Sequence, residues 1–374
     1  MTQTEYSVHT VQVGRVLELH RYFYFQKGVQ LTMTVTIHPT LPTEAELLAG
    51  IQKAAFKPLY DRYRDEGNPY LRGPEDILCR LNRNYRQYTI ECDGETVGGI
   101  LYRLHGKRRP FDPLTEGEYY LGRVYVHPLY QNKGIAAEAI RLCEQEFPDA
   151  TAYYVDFPAD MDKNRRCYEK VGFTDTGMET RTPGEPVISL YKKTVVPSKS
   201  TVGIHHPQVF ALEASDLPTA LPLIRESFAT AAKKHGLTRE NCPAHTSFVS
   251  MDYLERFFPL RRMYGLFAGK RMIGYMALSE TSDCSCELHN LCIHPDYRGR
   301  GFGELLVAHA KAETVKLIGH PPTILCPMLT LGFIDEDKDL RSWYEKQGFV
   351  YTGNLKFDHL PFTSGYMKWK EIQT

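Results

Sequence analysis

A chain of 374 residues is longer than one hydrophobic core usually organises, and 42% hydrophobic with 24% charged residues is an ordinary globular composition. Lys+Arg and Asp+Glu both total 45 and balance separately before and after the middle of the chain. That balance excludes the concentrated basic face required by a sequence-independent nucleic-acid grip or an anionic membrane surface, so neither partner is expected.

No uncharged apolar run approaches the ~18 residues that span a bilayer. Glu5, Arg15, Glu18, Arg21 and Lys27 interrupt the leading segment, so no signal peptide is expected. Nine scattered cysteines do not read as a disulfide framework. Cys284-Ser-Cys286 has no second pair at zinc spacing, so no metal is expected. A reducing cytoplasm is the expected compartment.

In chain order, residues 1–32 form an N-terminal extension without a counterpart, whose Tyr22–Phe25 cluster is able to dock as a strand. A strand over Val35–His38 leads into a helix where Ala45, Leu48, Ile51, Gln52, Ala55 and Leu59 recur near the helical period. Thr43 and Glu46 stand at capping-box spacing. Tyr88–Cys92, an Asp93-Gly94 turn and Val97–Tyr102 read as a hairpin. A strand over Tyr120–Val126 enters a glycine-bearing loop that opens a helix, and Ala152–Asp156 precedes the helix holding Tyr168. Turn formers and short polar residues mark a linker over 195–204. The series then returns as Val209–Leu212, a helix, Met263–Phe267, an Ala268-Gly269-Lys270 turn, Met272–Leu278 and Glu287–Ile293. A second glycine loop, a strand over Thr323–Leu331 and the helix holding Tyr344 complete it.

The return is written in the residues themselves. Val126-His-Pro-Leu-Tyr-Gln-Asn-Lys-Gly-Ile-Ala136 is answered by Ile293-His-Pro-Asp-Tyr-Arg-Gly-Arg-Gly-Phe-Gly303, and Cys167-Tyr-Glu-Lys-Val-Gly-Phe173 by Trp343-Tyr-Glu-Lys-Gln-Gly-Phe349. Two ordered matches at nearly equal offsets indicate a tandem duplication of one ~170-residue unit, with domains at 33–194 and 205–374. Strands, hairpins and helices mixed in this order give an α/β (α+β) class, a sheet covered by helices on both faces.

Gln131-Asn-Lys-Gly-Ile-Ala136 and Arg298-Gly-Arg-Gly-Phe-Gly303 each stand between a strand and a helix start. There, unpaired backbone N–H groups and the helix dipole favour an anion. Lys133, Arg298 and Arg300 can add charge-assisted contacts. The P-loop pattern is absent, and the glycine spacing does not match the dinucleotide fingerprint. A phosphate-bearing cofactor is the natural guest, and a glycine-rich helix cap is the plain alternative.

With these loops, both units resemble the GNAT (general control non-repressible 5-related) N-acetyltransferase superfamily, whose hallmark is [QR]-x-x-G-x-[GA] after a strand. The resemblance covers nearly the whole chain beyond residue 32. It implies two tandem GNAT-type domains with splayed central sheets and acetyl-CoA as cofactor. It implies that the strand backbone at Val124–Val126 and Leu291–Ile293 pairs with the pantetheine arm. The amides of Gln131, Asn132, Lys133, Gly134, Ile135 and Ala136, and of Arg298, Gly299, Arg300, Gly301, Phe302 and Gly303, would take the pyrophosphate. Tyr168 and Tyr344 occupy the place of the tyrosine that protonates the leaving thiolate. Asn164 stands near the place of an asparagine that touches the cofactor, and Asp337 is its looser counterpart.

The units differ at the base. Glu287 lies where family members that use a glutamate carry it, whereas Tyr120 holds that position in the first unit, with Glu118 two residues away on the same strand face. The second domain is therefore expected to be catalytic; the alternatives are a first domain that only binds cofactor or serves as scaffold, and a non-enzymatic acetyl-CoA sensor. His127-Pro128 and His294-Pro295 are expected to shape the strand exits, and His289 to share a face with Glu287. Asn241, Cys242, His245 and His359, with Phe357 and Phe362, are candidate acceptor contacts. This uncharged, aromatic set points to a small-molecule or amino-acid-like amine acceptor. The chain is expected to work as a monomer or homodimer.

Overall fold

The computed structural model describes residues 33–106, 113–182, 185–197, 203–281, 285–318 and 328–370. The docking expected for Tyr22–Phe25, the beginning of the Thr323–Leu331 strand and Cys284 fall outside the described residues. Two compact units result, one formed by 33–145 and 150–197, the other by 146–149 and the described residues from 203 onward.

The first unit runs β1 (Val35–Pro39), α1 (Ala45–Tyr63), α2 (Pro74–Leu78), β2 (Tyr85–Cys92), β3 (Glu95–Arg103), β4 (Glu118–Val126), α3 (Ile135–Gln145), β5 (Ala152–Pro158), α4 (Asp162–Lys170), β6 (Thr174–Thr180) and β7 (Ile188–Thr194). Its strands lie in the order β1-β2-β3-β4-β5-β7-β6. The second unit repeats the series as β8 (Gln208–Ala211), α5 (Leu217–Lys234), α6 (Met251–Phe257), β9 (Arg262–Ala268), β10 (Arg271–Glu280), β11 (Ser285–Ile293), α7 (Phe302–Ile318), β12 (Met328–Ile334), α8 (Lys338–Lys346), β13 (Val350–Lys356) and β14 (Thr363–Lys370). Its order is β8-β9-β10-β11-β12-β14-β13. Each unit is a mixed α/β domain on a seven-stranded sheet in which, among the described residues, one pair, β4/β5 or β11/β12, is parallel.

The local signals account for most boundaries. Asp93 and Gly94 both take positive φ, 53° and 83°, as a two-residue hairpin requires. Ala45, Leu48, Ile51 and Gln52 form the buried stripe of α1. Its start differs from the expected Thr43/Glu46 box. A 3-10 turn over Pro42–Glu44 comes first, and the Glu44 carboxylate accepts the Leu41 N–H at 2.7 Å and the Thr89 hydroxyl at 3.0 Å. Pro42 favours that turn because its missing N–H costs nothing in a first turn.

The core of the second unit lies on both sides of its sheet. Cys286, Leu288, Phe302, Leu306, Leu329, Tyr344 and Phe349 pack on the α7/α8 side. Leu217, Ile224, Leu254, Met263, Tyr275 and Cys292 pack on the α5/α6 side.

The parallel pair positions the site. β4 and β5 are in register only from Glu118↔Ala152 to Tyr120↔Tyr154, while β4 continues to Val126. β11 and β12 pair only from Ser285↔Met328 to Leu288↔Leu331, while β11 continues to Ile293. Past those points the strands part. Val124–Val126 and Gly274↔Ile293 keep ladder partners on the β3 or β10 side, and the other edge opens into a wedge. Both wedges begin beside a register slip, opposite Gly122 in β4 and opposite Asn290 in β11, where Asn290 takes φ 53°. An extra residue increases twist and bends the strand, which is a local cause for the parting.

Candidate active site

Each wedge is flanked by the loop that follows its strand. The two loops are tied down alike. Gln131 Nε2 donates to the Val126 carbonyl at 2.8 Å, and Arg298 Nε donates to the Ile293 carbonyl at 2.9 Å. The first motif position is therefore a strap across the strand exit. Arg298 is further held by Thr230 Oγ1 at 2.8 Å and the Ser227 carbonyl at 2.7 Å, so its guanidinium faces α5. His127 and His294 accept, through Nδ1, the N–H of Leu129 and Asp296, capping the short turns at Pro128–Tyr130 and Pro295–Tyr297.

Asn132, Gly134, Gly299 and Gly301 take positive φ (63°, 84°, 74° and 79°). A Cβ placed on Gly134, Gly299 or Gly301 would meet nothing within 4 Å. The backbone thus curls around open space at a helix N-terminus, where first-turn amides lack intrahelical partners. Lys133 Nζ lies 5.0 Å from the Tyr130 ring. A cavity of about 310 Å3 lined by Ile204, His205, Arg300 and Phe302 adjoins the second loop. Open main-chain turns with cationic side chains fit a diphosphate. Gly303 has a different reason to be glycine: a Cβ there would stand 3.0 Å from Trp343 Cζ2 on α8. The first unit has Cys167 in place of Trp343 and Ala136 in place of Gly303, a volume exchange between adjacent helices.

Glu287 alternates with Cys286 and Leu288 and so faces away from α7, toward the α5/α6 side. Its side chain is 47% exposed, and its Oε2 lies 3.7 Å from His289 Nε2. That same His289 nitrogen is 2.7 Å from Ser279 Oγ. Burial, then the charge of Arg261, lowers the His289 pKa to about 4, so the imidazole is neutral around pH 7. Across the sheet, Tyr344 is 7% exposed and packs between Trp343 and Phe349, with centroids at 4.9 and 5.6 Å. Tyr168 is equally buried, against Phe157 at 5.2 Å and Phe173 at 5.9 Å. Burial pushes both phenols well above their ordinary range and keeps them protonated.

In the first unit Tyr120 takes the register position of Glu287, and its hydroxyl donates to Asp156 Oδ1 at 2.6 Å. Glu118 is occupied otherwise, accepting from Tyr154 OH at 2.6 Å and the Thr115 N–H at 3.0 Å. Asn164 sits in the first turn of α4, its N–H bonded to the Met161 carbonyl. Asp337 caps α8 through the Leu340 N–H at 3.2 Å and holds Lys234 at 2.8 Å.

Of the candidate acceptor residues, Cys242 and Phe362 come together, whereas Asn241, His245 and His359 make separate contacts. Asn241 accepts the Thr238 N–H at 2.8 Å and donates to the Gly236 carbonyl at 2.9 Å, closing its own loop. Cys242 is buried with Ala232 and Leu237, against Leu360 and Phe362. His245 Nδ1 stands 2.8 Å from Ser247 Oγ, and its ring meets Phe228 and Phe248 edge-on. Thr246 beside it bonds Asn290 Oδ1 at the bulge, 3.2 Å away, which brings this loop to the wedge. His359 is exposed and packs against Phe357 at 5.6 Å.

Two side-chain groupings at the wedges escape sequence reading. One is Asp156, an unremarkable strand residue until Tyr120 is seen bonded to it. The other is the part-buried tie of Arg123, next to the bulged Gly122 of β4, to Gln52 Oε1 at 2.6 Å and Asp76 Oδ2 at 2.8 Å. Burial alone would raise the Asp76 carboxyl, but Arg80 and Arg123 outweigh it and hold it below its usual range.

A split parallel pair, an anion-ready loop after the inner strand and a buried tyrosine on the following helix recur in both halves. Two family models match in the corresponding places, one described as Acetyltransferase (GNAT) family over residues 53–173 and one as Acetyltransferase (GNAT) domain over residues 259–351. The chain belongs to the GNAT acetyltransferases, as a tandem of two such domains. Solved structures similar to it include the ribosomal-protein-S18-alanine N-acetyltransferase from Escherichia coli (17% identity, 44% of this chain and 93% of that chain, TM-score 0.34). The PaiA N-acetyltransferase from Thermoplasma acidophilum in complex with coenzyme A is another (20% identity, 45% and 100%, TM-score 0.34). A third is the spermidine N-acetyltransferase from Vibrio cholerae in complex with CoA and spermine (20% identity, 44% and 95%, TM-score 0.33). No curated protein is a significant match. Among the described residues, no helix is long and apolar enough to cross a membrane.

Proposed function

We propose that the protein is an acetyl-CoA-dependent N-acetyltransferase that acetylates the primary amine of a small-molecule or amino-acid-like acceptor, with the second domain catalytic. The carrying observation is Glu287 at the last stretch of paired β11, on the opposite sheet face from Tyr344, with the parted strand between them. Family membership supports the cofactor, and so do the two open loops. The amides of 131–136 and 298–303 would hold the diphosphate, with Lys133 and Arg300 as neighbouring charges. Val124, Val126, Leu291 and Ile293 offer strand backbone to the pantetheine arm. The 310 Å3 cavity beside Arg300 suits the far end of the cofactor.

Bound acetyl-CoA supplies a thioester whose carbonyl is open to an amine. Glu287 removes the proton that the amine must lose, and its half-exposed carboxylate is accessible to an entering acceptor. His289 Nε2 is bonded to Ser279 and stays neutral 3.7 Å from the carboxylate, so it places no second charge beside Glu287. Tyr344, held protonated by burial, supplies a hydrogen bond to the departing sulfur. Positioning does much of the rest. Described cysteines without disulfides suit a reducing, cytoplasmic setting.

The test is thiol release from acetyl-CoA with a panel of primary amines. Glu287→Gln is expected to lower the rate by about 10²-fold or more. A rate untouched by both Glu287→Gln and Tyr344→Phe would remove the site from the reaction.

A further inference from the structure

The two wedges carry complementary exchanges. In the second unit Glu287 pairs with Thr330, and two residues further along β12 stands Gly332; in the first unit Tyr120 pairs with Tyr154, and two residues further along β5 stands Asp156. Glutamate and glycine in one unit are thus tyrosine and aspartate in the other. The carboxylate has moved across the wedge from the inner strand to the outer one. It is linked to the register position of Glu287, because the Tyr120 hydroxyl donates to Asp156 Oδ1 at 2.6 Å.

Resting on the transferase reading above, we propose that the first domain is a second catalytic centre in which Asp156, acting through Tyr120, accepts the proton of the acceptor amine. Asp156 and Tyr120 share the face formed by Ala152, Tyr154, Leu190 and Leu114, whereas Tyr168 comes from the other face beside Phe157. This is the same two-sided arrangement as Glu287 and Tyr344. Both members of the pair are partly buried. The charged and titratable groups around the pair are Arg103 from β3, its guanidinium 5.7 Å from the Tyr120 ring, and Tyr168 from α4. On the same face, Lys192 from β7 lies over the Tyr154 ring at 5.2 Å, and Glu118 from β4 binds the Tyr154 hydroxyl. Burial, opposed by the Tyr120 hydrogen bond and by Arg103, raises the Asp156 carboxyl toward the range useful to a base.

The balance is simple. One N–C bond forms as the C–S bond of the thioester breaks. The amine proton moves to Tyr120 Oη while Tyr120 gives its own proton to Asp156, and sulfur departs with the C–S electron pair against the Tyr168 hydroxyl. Asp156 then releases the proton to solvent.

The full-length protein carrying Glu287→Gln and Tyr344→Phe isolates the first domain. With acetyl-CoA and a primary-amine panel of spermidine, histamine, lysine and glucosamine, it is expected to keep measurable thiol release. Adding Asp156→Asn should lower that release by about 10²-fold, and Tyr120→Phe should lower it comparably. An independent readout needs no acceptor: infrared difference titration, with Asp156→Asn identifying the band. The Asp156 carboxyl should titrate above ordinary aspartates and shift when Tyr120 becomes Phe. Thiol release by the unaltered protein that vanishes with Glu287→Gln and Tyr344→Phe would overturn this inference and leave the proposed function standing. An Asp156 band titrating in the ordinary range would overturn it equally. No release from the unaltered protein with any amine would overturn both.

Discussion

At the scale of single residues, the site proposed in the second domain is a carboxylate beside an imidazole that is prevented from charging. Glu287 is half exposed, so its removal should affect chemistry more than folding. Glu287→Gln is expected to lower kcat while leaving the acetyl-CoA Kd within about twofold, a split that steady-state kinetics and calorimetry read together. His289 contributes a defined part of the pH dependence. Its pKa falls from 6.5 to about 4 on folding because burial, and then Arg261, disfavour the cation. The unfolded chain therefore binds more protons than the folded one between those values, and stability is lost as pH drops through that window. The slope from this group reaches about 1.4 kcal/mol per pH unit. Denaturant midpoints measured from pH 7 to pH 4 should fall less steeply in His289→Gln, and an unchanged slope would contradict the assignment.

At the scale of elements, bulge, strap and helix contact shape each wedge. Arg123 and Asp76 are each 12% exposed, and Arg123 ties the bulge of β4 to α1 and α2. Arg123→Met leaves a buried carboxylate short of a partner, with an expected loss of about 3 kcal/mol measurable by urea titration. Gly303→Ala should disturb the α7/α8 contact, where Trp343 leaves only 3.0 Å for a methyl, and Trp343→Cys should relieve it, as the first unit's Ala136/Cys167 pair does. Trp343 fluorescence would report the Gly303→Ala change, and the urea midpoint of the double variant would report its relief.

The strands, hairpin turns and loop–helix junctions were legible because alternation, Asp-Gly and glycine spacing are local signals. The α1 start was not, since Pro42 and Glu44 formed their own turn ahead of the helix. The first motif position was legible as a conspicuous residue but not as a strap, because its partner is a main-chain carbonyl. Asp156 was illegible for a related reason. Its meaning depends on how far β5 lies from β4, and no run of residues records that distance.

At the scale of the whole molecule, the two units are alike in the residues proposed for the cofactor and differ in those proposed for the acceptor. Loops, straps and buried tyrosines correspond one to one, whereas Glu287 answers to Tyr120, Asn290 to Arg123 and Gly332 to Asp156. Such divergence fits two domains that handle one cofactor with different acceptors or different proton routes. A chain of this kind should bind acetyl-CoA at two positions. Calorimetric titration of the full-length protein with acetyl-CoA tests this directly. Saturable binding at about two sites per chain is expected, with Gly134→Val and Gly301→Val each removing one, since each side chain would be forced into a left-handed backbone and into the open cradle. Heats absent from the unaltered protein, or unchanged in both variants, would contradict it.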